Sequence, residues 1–501
     1  MKTFQIKNKV FVYSVLFFLV LGGILIAIPN RSYIIIDRLS SYVLDAFGQL
    51  YLFAGLFILC FLILLALSPI GKIQLGTSKP KYSTISWLAM MYSTGMGAGI
   101  ILRAVQEPVY FSQHPGVNIK GSEETHALMM TFYHWGFTAW AFYGLFSLFI
   151  AYLLFVKNKN IQLSHLIPHI QNNKINNSID LITVITIVFG VVSAAALGVS
   201  QIESGISYAT DTAFNFSLIL CICTTVFLAA IISSVRGLSK GIKNLSLINI
   251  GLTLVLMFYV FLFSDQAFIF LTMVDAIKDL VTNFFSLSLA FSPYDFSKDF
   301  LSDWTYYYWA FWLAWAPFTG IFIARISKGR SIRELITGVL LIPSLGSFIW
   351  FSVFGDSAFQ LINQGAVEIN AFNDVFTSIF VFLQQYPFGS VSVILALVLL
   401  VGFLITSIDS AIYVLGMFSN LKSIHPSRLH KITWGIGLFV ITLGFLVLGK
   451  TGRAENTLEA VQKILVISSL FFLFLCFIFI IFFMIDVINR YRNNEHKKGT
   501  W

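Results

Sequence analysis

Aromatic side chains at helical spacing inside apolar segments are the first residues here that could do chemistry. Trp312 and Trp315 lie three apart in the run Trp304–Gly320 and share one helical face. Trp135, Trp140 and Tyr143, in another apolar segment, project within roughly 140° of each other at helical pitch. Several ring faces around a quaternary ammonium attract it without hydrogen bonds that such a ligand cannot make. The same residues also suit an interfacial aromatic belt, and the tryptophans alone do not decide between belt and cage.

Their neighbourhood bears on the choice. Pro317 and Gly320 follow Trp315; Pro317 denies the Leu313 carbonyl its helical donor, so a break is expected there. Gly95, Gly97 and Gly99 place three glycines in five residues. Gly95 and Gly99 fit close packing, but Gly97 points elsewhere. The three together weaken a helix and bring bare backbone to a ligand or ion. A transporter's midplane site is marked by such paired interruptions in corresponding positions of two halves. Met96, Gly97, Ala98 and Gly99 therefore join the candidate site.

Polar groups in apolar segments complete the inventory. Thr406, Ser407, Asp409 and Ser410 are costly in lipid and should face the interior. Small hard cations take oxygen ligands, and Thr406 and Ser407 with carbonyls near Ser93 and Met96 offer such a set. Hydroxyl back-bonding to the preceding turn is the competing use. Arg103 at membrane depth needs a partner or water, and Glu107 is one turn on. An Arg103–Glu107 ion pair or gate, and a guanidinium that binds a substrate carboxylate or stands in for a coupling cation, are both open, and Asp409 is a further candidate for a gate or coupling group. His134 reads as a hydrogen-bonded packing residue. With no metal-type His/Glu cluster and no nucleophile motif, the chain reads as neither an enzyme nor a holder of a resident cofactor.

The elements that must position these groups are membrane helices. Of 501 residues, 57% are hydrophobic and 11% charged, with mean hydropathy +0.83; soluble domains carry about 25% charged residues. The chain is expected to be an all-α membrane protein of about twelve spans, the second at about 50–69 and the fourth a single helix over about 125–155. The run Val10–Ile28 reads as a first span, not a cleavable signal. The net charge of +9 sits in alternate loops and sets orientation, both ends inside; nucleic acid is not implied. Cys60, Cys221, Cys223 and Cys476 frame neither disulfides nor a zinc site. The breaks in spans 3 and 8 are an odd number of spans apart, giving repeats of opposite topology. The expected divisions are a tail with two peripheral helices (1–82), a first repeat (83–264), an amphipathic extracytoplasmic helix (265–302), a second repeat (303–488) and a short basic tail (489–501). That tail leaves little room for a signalling domain, which argues against a solute sensor.

Four stretches carry a resemblance to the betaine/choline/carnitine transporters. They are Gly95–Gly99 with Glu107-Pro108; His134-Trp135-Gly136 with Trp140-Ala141 and Tyr143; Trp304–Arg330; and Thr406–Ser410 with Tyr413–Gly416. The resemblance implies the 5+5 inverted-repeat fold named after the bacterial leucine transporter. It implies import of a small zwitterionic or cationic solute of the quaternary-ammonium compatible type, glycine betaine or a close relative, through the inner (plasma) membrane of a bacterium, usually with sodium. Trp135, Trp140, Tyr143 and Trp312 would form the ammonium cage, and Trp315 would line the path. Sodium would sit at Ser93, Met96, Phe403, Thr406 and Ser407, and homotrimers would form through the outer helix. Sodium-independent exchange of the carnitine type and proton-coupled choline uptake are the alternatives within the family. The chain departs from it at Phe311, where Trp is frequent, and at Arg103, where an aromatic residue is usual.

Overall fold

The computed structural model describes residues 9–95, 97–117, 121–167, 172–236, 239–419, 426–451, 454 and 456–495. Helices account for nearly all of it, and no strand occurs among the described residues beyond one isolated bridge, Gln74 to Ser331. In order these are α1 (Lys9–Ala27), α2 (Pro29–Leu67), α3 (Thr84–Gly95), α4 (Ala98–Arg103), α5 (Gln106–Gln113), α6 (Glu123–Trp135), α7 (Phe137–Phe155), α8 (Asn173–Thr210), α9 (Phe216–Arg236), α10 (Ser239–Leu262) and α11 (Gln266–Leu289). Then follow α12 (Lys298–Phe300), α13 (Tyr307–Ile326), α14 (Ile332–Phe351), α15 (Ser357–Asn363), α16 (Ser378–Gln384), α17 (Gly389–Phe418), α18 (Arg428–Thr451) and α19 (Thr457–Glu495).

Eleven helical stretches among the described residues are long and apolar enough to cross a membrane. The chain is thus an all-α, multi-span membrane protein. The expected third span is not among the eleven, because it is carried end to end by α3, α4 and α5, each too short to cross alone. Glycine clustering has the effect foreseen: Gly97 is extended between α3 and α4.

Three expectations change. The eighth span is not broken at Pro317; α13 runs through it to Ile326. Gly320 serves close approach instead. A Cβ there would meet the Phe146 carbonyl carbon at 2.9 Å and the Ser147 nitrogen at 3.0 Å, so α13 and α7 pack backbone to backbone. The irregular backbone lies earlier, in a π-helical turn at Leu301–Tyr306. The fourth span, read as continuous, is interrupted at Gly136, where a Cβ would lie 2.5 Å from the Phe132 carbonyl oxygen and 2.7 Å from the Phe348 ring. Finally, α2 begins at Pro29 rather than near residue 50. Its first half carries Asp37 and Asp45, which break the apolar run but pair with Lys463 and Lys298.

The basic loop after α13 has a structural use as well. Arg333 Nε donates to the Ala66 carbonyl at 2.6 Å, and its Nη2 reaches those of Leu67 and Ser68. Orphan carbonyls at the α2 C-terminus are thereby satisfied. Ser331 and Glu334 form a capping box that starts α14.

Candidate functional site

The breaks at Gly97 and Gly136 bring two helix ends together with the middle of α13. The α6 terminus leaves carbonyls without helical donors, and the Trp312 indole donates to that of His134 at 2.9 Å. The α4 interruption is met in the same way, with Trp350 Nε1 donating to the Ile100 carbonyl at 3.0 Å. Freed backbone at this depth is satisfied by protein, as a low-dielectric surrounding requires.

Trp312 is the corner of an aromatic box. Trp135 meets it at 5.0 Å between centroids and 71°, and Tyr143 at 5.9 Å and 87°. Trp140 continues the wall through Tyr143, at 5.2 Å and 85°. Near-perpendicular neighbours form the sides of a box rather than a stack. All four line one cavity of about 300 Å³, with Trp315 and Phe311 further along α13. Phe311 packs edge-on against Trp312 at 5.1 Å, so the residue that departs from the family pattern still supplies a wall. Gly97, Ala98 and Gly99 line the same cavity, and a Cβ on Gly97 would meet nothing within 4 Å.

Phe403, Thr406 and Ser407 also line it. The Thr406 hydroxyl donates to the Gly402 and Phe403 carbonyls at 3.0 and 3.1 Å. Back-bonding consumes its proton and leaves its lone pairs. Met96 and the Ser93 side chain lie outside the described residues.

The remaining candidates do not join this cavity. Glu107 stands behind the box, fully buried: Trp135 Nε1 donates to its Oε2 at 3.1 Å, and the Tyr308 hydroxyl donates to the same oxygen. His134 lies beside it, Nδ1 3.8 Å from Oε1, with Nε2 3.1 Å from Thr305 Oγ1. The expected Arg103–Glu107 pair is not formed. The chain leaves the helix between α4 and α5, so residues four apart no longer share a face. Arg103 donates instead to Gln106 Oε1 at 2.6 Å and lies over the Trp304 ring at 4.9 Å. Asp409 is buried near Ser234 and the charge of Lys431, away from both cavities. A structural role fits it better than a gate.

Tyr308 is the site residue that the sequence reading missed. It stacks on Trp312 at 5.8 Å and 18° while holding Glu107. Its position four residues before Trp312, hence on the same face, was the available signal. Replacing Glu107 by Leu is expected to strand the Trp135 and Tyr308 donors, at about 1–3 kcal/mol each. The solute concentration for half-maximal stabilisation in a thermal-shift titration should rise at least as much as a loosened box implies, while Glu107→Gln should retain most of it.

Fold and site thus define a multi-span membrane protein that encloses a small organic cation's worth of aromatic surface between helices. Over residues 9–492 the chain matches the betaine/carnitine/choline family of transporters. It is 37% identical over 443 residues to the glycine betaine transporter OpuD of Bacillus subtilis (strain 168), covering 86% of each chain. It is 35% identical over 477 residues to the ectoine/hydroxyectoine transporter of Virgibacillus pantothenticus, covering 93% of each. The high-affinity choline transport protein of Escherichia coli (strain K12) is 32% identical over 456 residues, which cover 88% of this chain and 66% of that one. The chain belongs to the betaine/carnitine/choline transporter family and is a transporter, not an enzyme.

Proposed function

We propose that this protein imports glycine betaine or a close zwitterionic relative by sodium symport. Rings set at right angles around one cavity carry the reading: Trp135, Tyr143 and Trp312, with Trp140 behind. A trimethylammonium seated there meets ring faces and, among the described residues, no Lys or Arg that lines the cavity. The names of the relatives, which include glycine betaine, ectoine and choline transporters, support a small charged osmolyte.

Helix packing supports an inverted repeat of two five-span units, α3–α10 and α12–α19, after two peripheral helices. An offset of five spans maps one packed pair onto another. The α9–α17 contact corresponds to α18–α8, α10–α17 to α19–α8, and α3–α14 to α13–α7. A second cavity, of about 940 Å³, lies at the Trp304 end of α13. The cavity with the box extends the other way, past Trp315, Phe318 and Phe322 toward the basic loop. With both termini cytoplasmic, as the loop charges suggest, the larger space is an extracytoplasmic vestibule and the box opens inward. Alternating access would rock the two units around the box. The α11 helix, with Phe270, Leu271, Val281 and Phe285 exposed, is the surface offered for a homotrimer. The place of action would be a bacterial inner membrane.

The test is a solute panel on purified protein. Glycine betaine is expected to raise the melting temperature, more with sodium than with potassium, and labelled glycine betaine to accumulate in proteoliposomes. Stabilisation and uptake confined to solutes without an ammonium group would refute the reading.

A further inference from the structure

The vestibule contains one cation that the transport reading leaves unused. Four basic residues line it: Arg103, Lys298, Lys450 and Lys463. Each lysine has a carboxylate of its own. Lys298 pairs with Asp45, Lys450 with Glu203 at 3.2 Å, and Lys463 with Asp37 at 2.7 Å and Glu459 at 3.4 Å. Arg103 alone among these four has no carboxylate within ion-pair distance among the described residues. It is only 5% exposed. Its one hydrogen bond among the described residues goes to the neutral amide oxygen of Gln106.

A guanidinium so nearly buried, with Glu107 acting on it only through space and no carboxylate in contact among the described residues, is an incompletely paired one. Removing a cation from water is expensive, and attraction to a counter-ion is what normally offsets it. Stacking on Trp304 recovers part of the cost, yet Arg103 has five N–H donors in a fork that suits a carboxylate. Position adds a second argument. Leu102 lines the box cavity and Arg103 the vestibule, so consecutive residues of α4 face the two spaces. Tyr110, 4.6 Å from Trp304 between centroids, lines the vestibule beside the guanidinium and offers another ring face.

We infer that Arg103 is a carboxylate-docking site at the vestibule floor, which takes the acid end of a zwitterionic solute before the ammonium end enters the box. The inference rests on the proposed transport of a zwitterion and adds what the box lacks, a group that reads the end opposite the ammonium. It also accounts for a guanidinium with no carboxylate in contact, because substrate supplies one. A solute with an ammonium but no carboxylate gains nothing at this site.

Two half-substrates separate the ends. 3,3-Dimethylbutanoate has the carboxylate and shape of glycine betaine without the cation; tetramethylammonium has the cation without the carboxylate. Each is titrated against binding of labelled glycine betaine to purified full-length protein. In Arg103→Met the inhibition constant of dimethylbutanoate is expected to rise about tenfold or more, the worth of a charge-assisted hydrogen bond, while that of tetramethylammonium stays within twofold. Gln106→Glu provides a second route if Arg103→Met does not fold. It places a permanent carboxylate against the guanidinium and should weaken dimethylbutanoate by a similar factor. Unchanged inhibition by dimethylbutanoate in either folded variant, or an equal shift for both probes, would overturn the docking site. Failure of the box shows differently, as unaltered glycine betaine binding in Trp312→Ala with Arg103 intact.

Discussion

Replacing Trp312 by Ala is expected to abolish saturable glycine betaine uptake, lowering Vmax/KM by more than about a hundredfold, while the protein still reaches the membrane. Two losses combine. The ring is the shared corner of the box, facing Trp135 and Tyr143. A desolvated cation–π contact is worth about 2 kcal/mol or more, and each 1.4 kcal/mol is about tenfold in affinity. The indole N–H also ties α13 to the carbonyl at the end of α6. Without it that carbonyl is stranded and Trp135 loses its packing partner, so a second wall loosens with the first. Trp312→Phe separates the terms. It keeps a ring face and loses the hydrogen bond, and about a tenfold loss is expected. Uptake by reconstituted vesicles, normalised to protein in the membrane, measures both variants. Saturable uptake at the wild-type rate in Trp312→Ala would remove the box from the transport path.

The aromatic residues were legible because an indole in an apolar segment is conspicuous and helical spacing says which ones share a face. Backbone interruptions were legible only where composition departs from its surroundings. Three glycines in five residues marked the end of α3. A lone Gly136 within an apolar run did not, because its effect depends on Phe348, more than two hundred residues away. Pro317 misled in the opposite direction. Sequence shows that a hydrogen bond is lost at Leu313, but not that packing against α7 and α8 holds the helix straight enough to continue. Pairing between distant residues was invisible. Asp37 and Asp45 split the α2 run in the sequence, whereas Lys463 and Lys298 supply their charges in the fold. Arg103 and Glu107 failed for a related reason. Their spacing promises an ion pair only on a continuous helix, and α4 ends at Arg103.

Where Arg103 lies also bears on the driving ion. A basic side chain can replace a coupling cation only if it reaches the cation's ligands. Arg103 lines the vestibule, whereas Phe403, Thr406 and Ser407 line the box cavity. This separation removes the guanidinium as a stand-in at the α17 hydroxyls, as the proposed sodium symport requires. Uptake is therefore expected to need an inward sodium gradient and to fall at least about tenfold when potassium replaces sodium, the change that about 1.4 kcal/mol of coupling would give. Thr406→Val probes the ligand. Valine keeps the branched shape but removes the oxygen, and with it the lone pairs that back-bonding to Gly402 and Phe403 leaves available. Half-saturation for sodium should rise about tenfold or more, as loss of a ligand to a charged group implies, with Vmax at saturating sodium nearly unchanged. A purely structural hydroxyl would act the other way, lowering stability without moving the sodium dependence. Equal uptake in sodium and potassium would instead favour exchange of one solute for another, with the box loaded from both sides and no ion bound at α17.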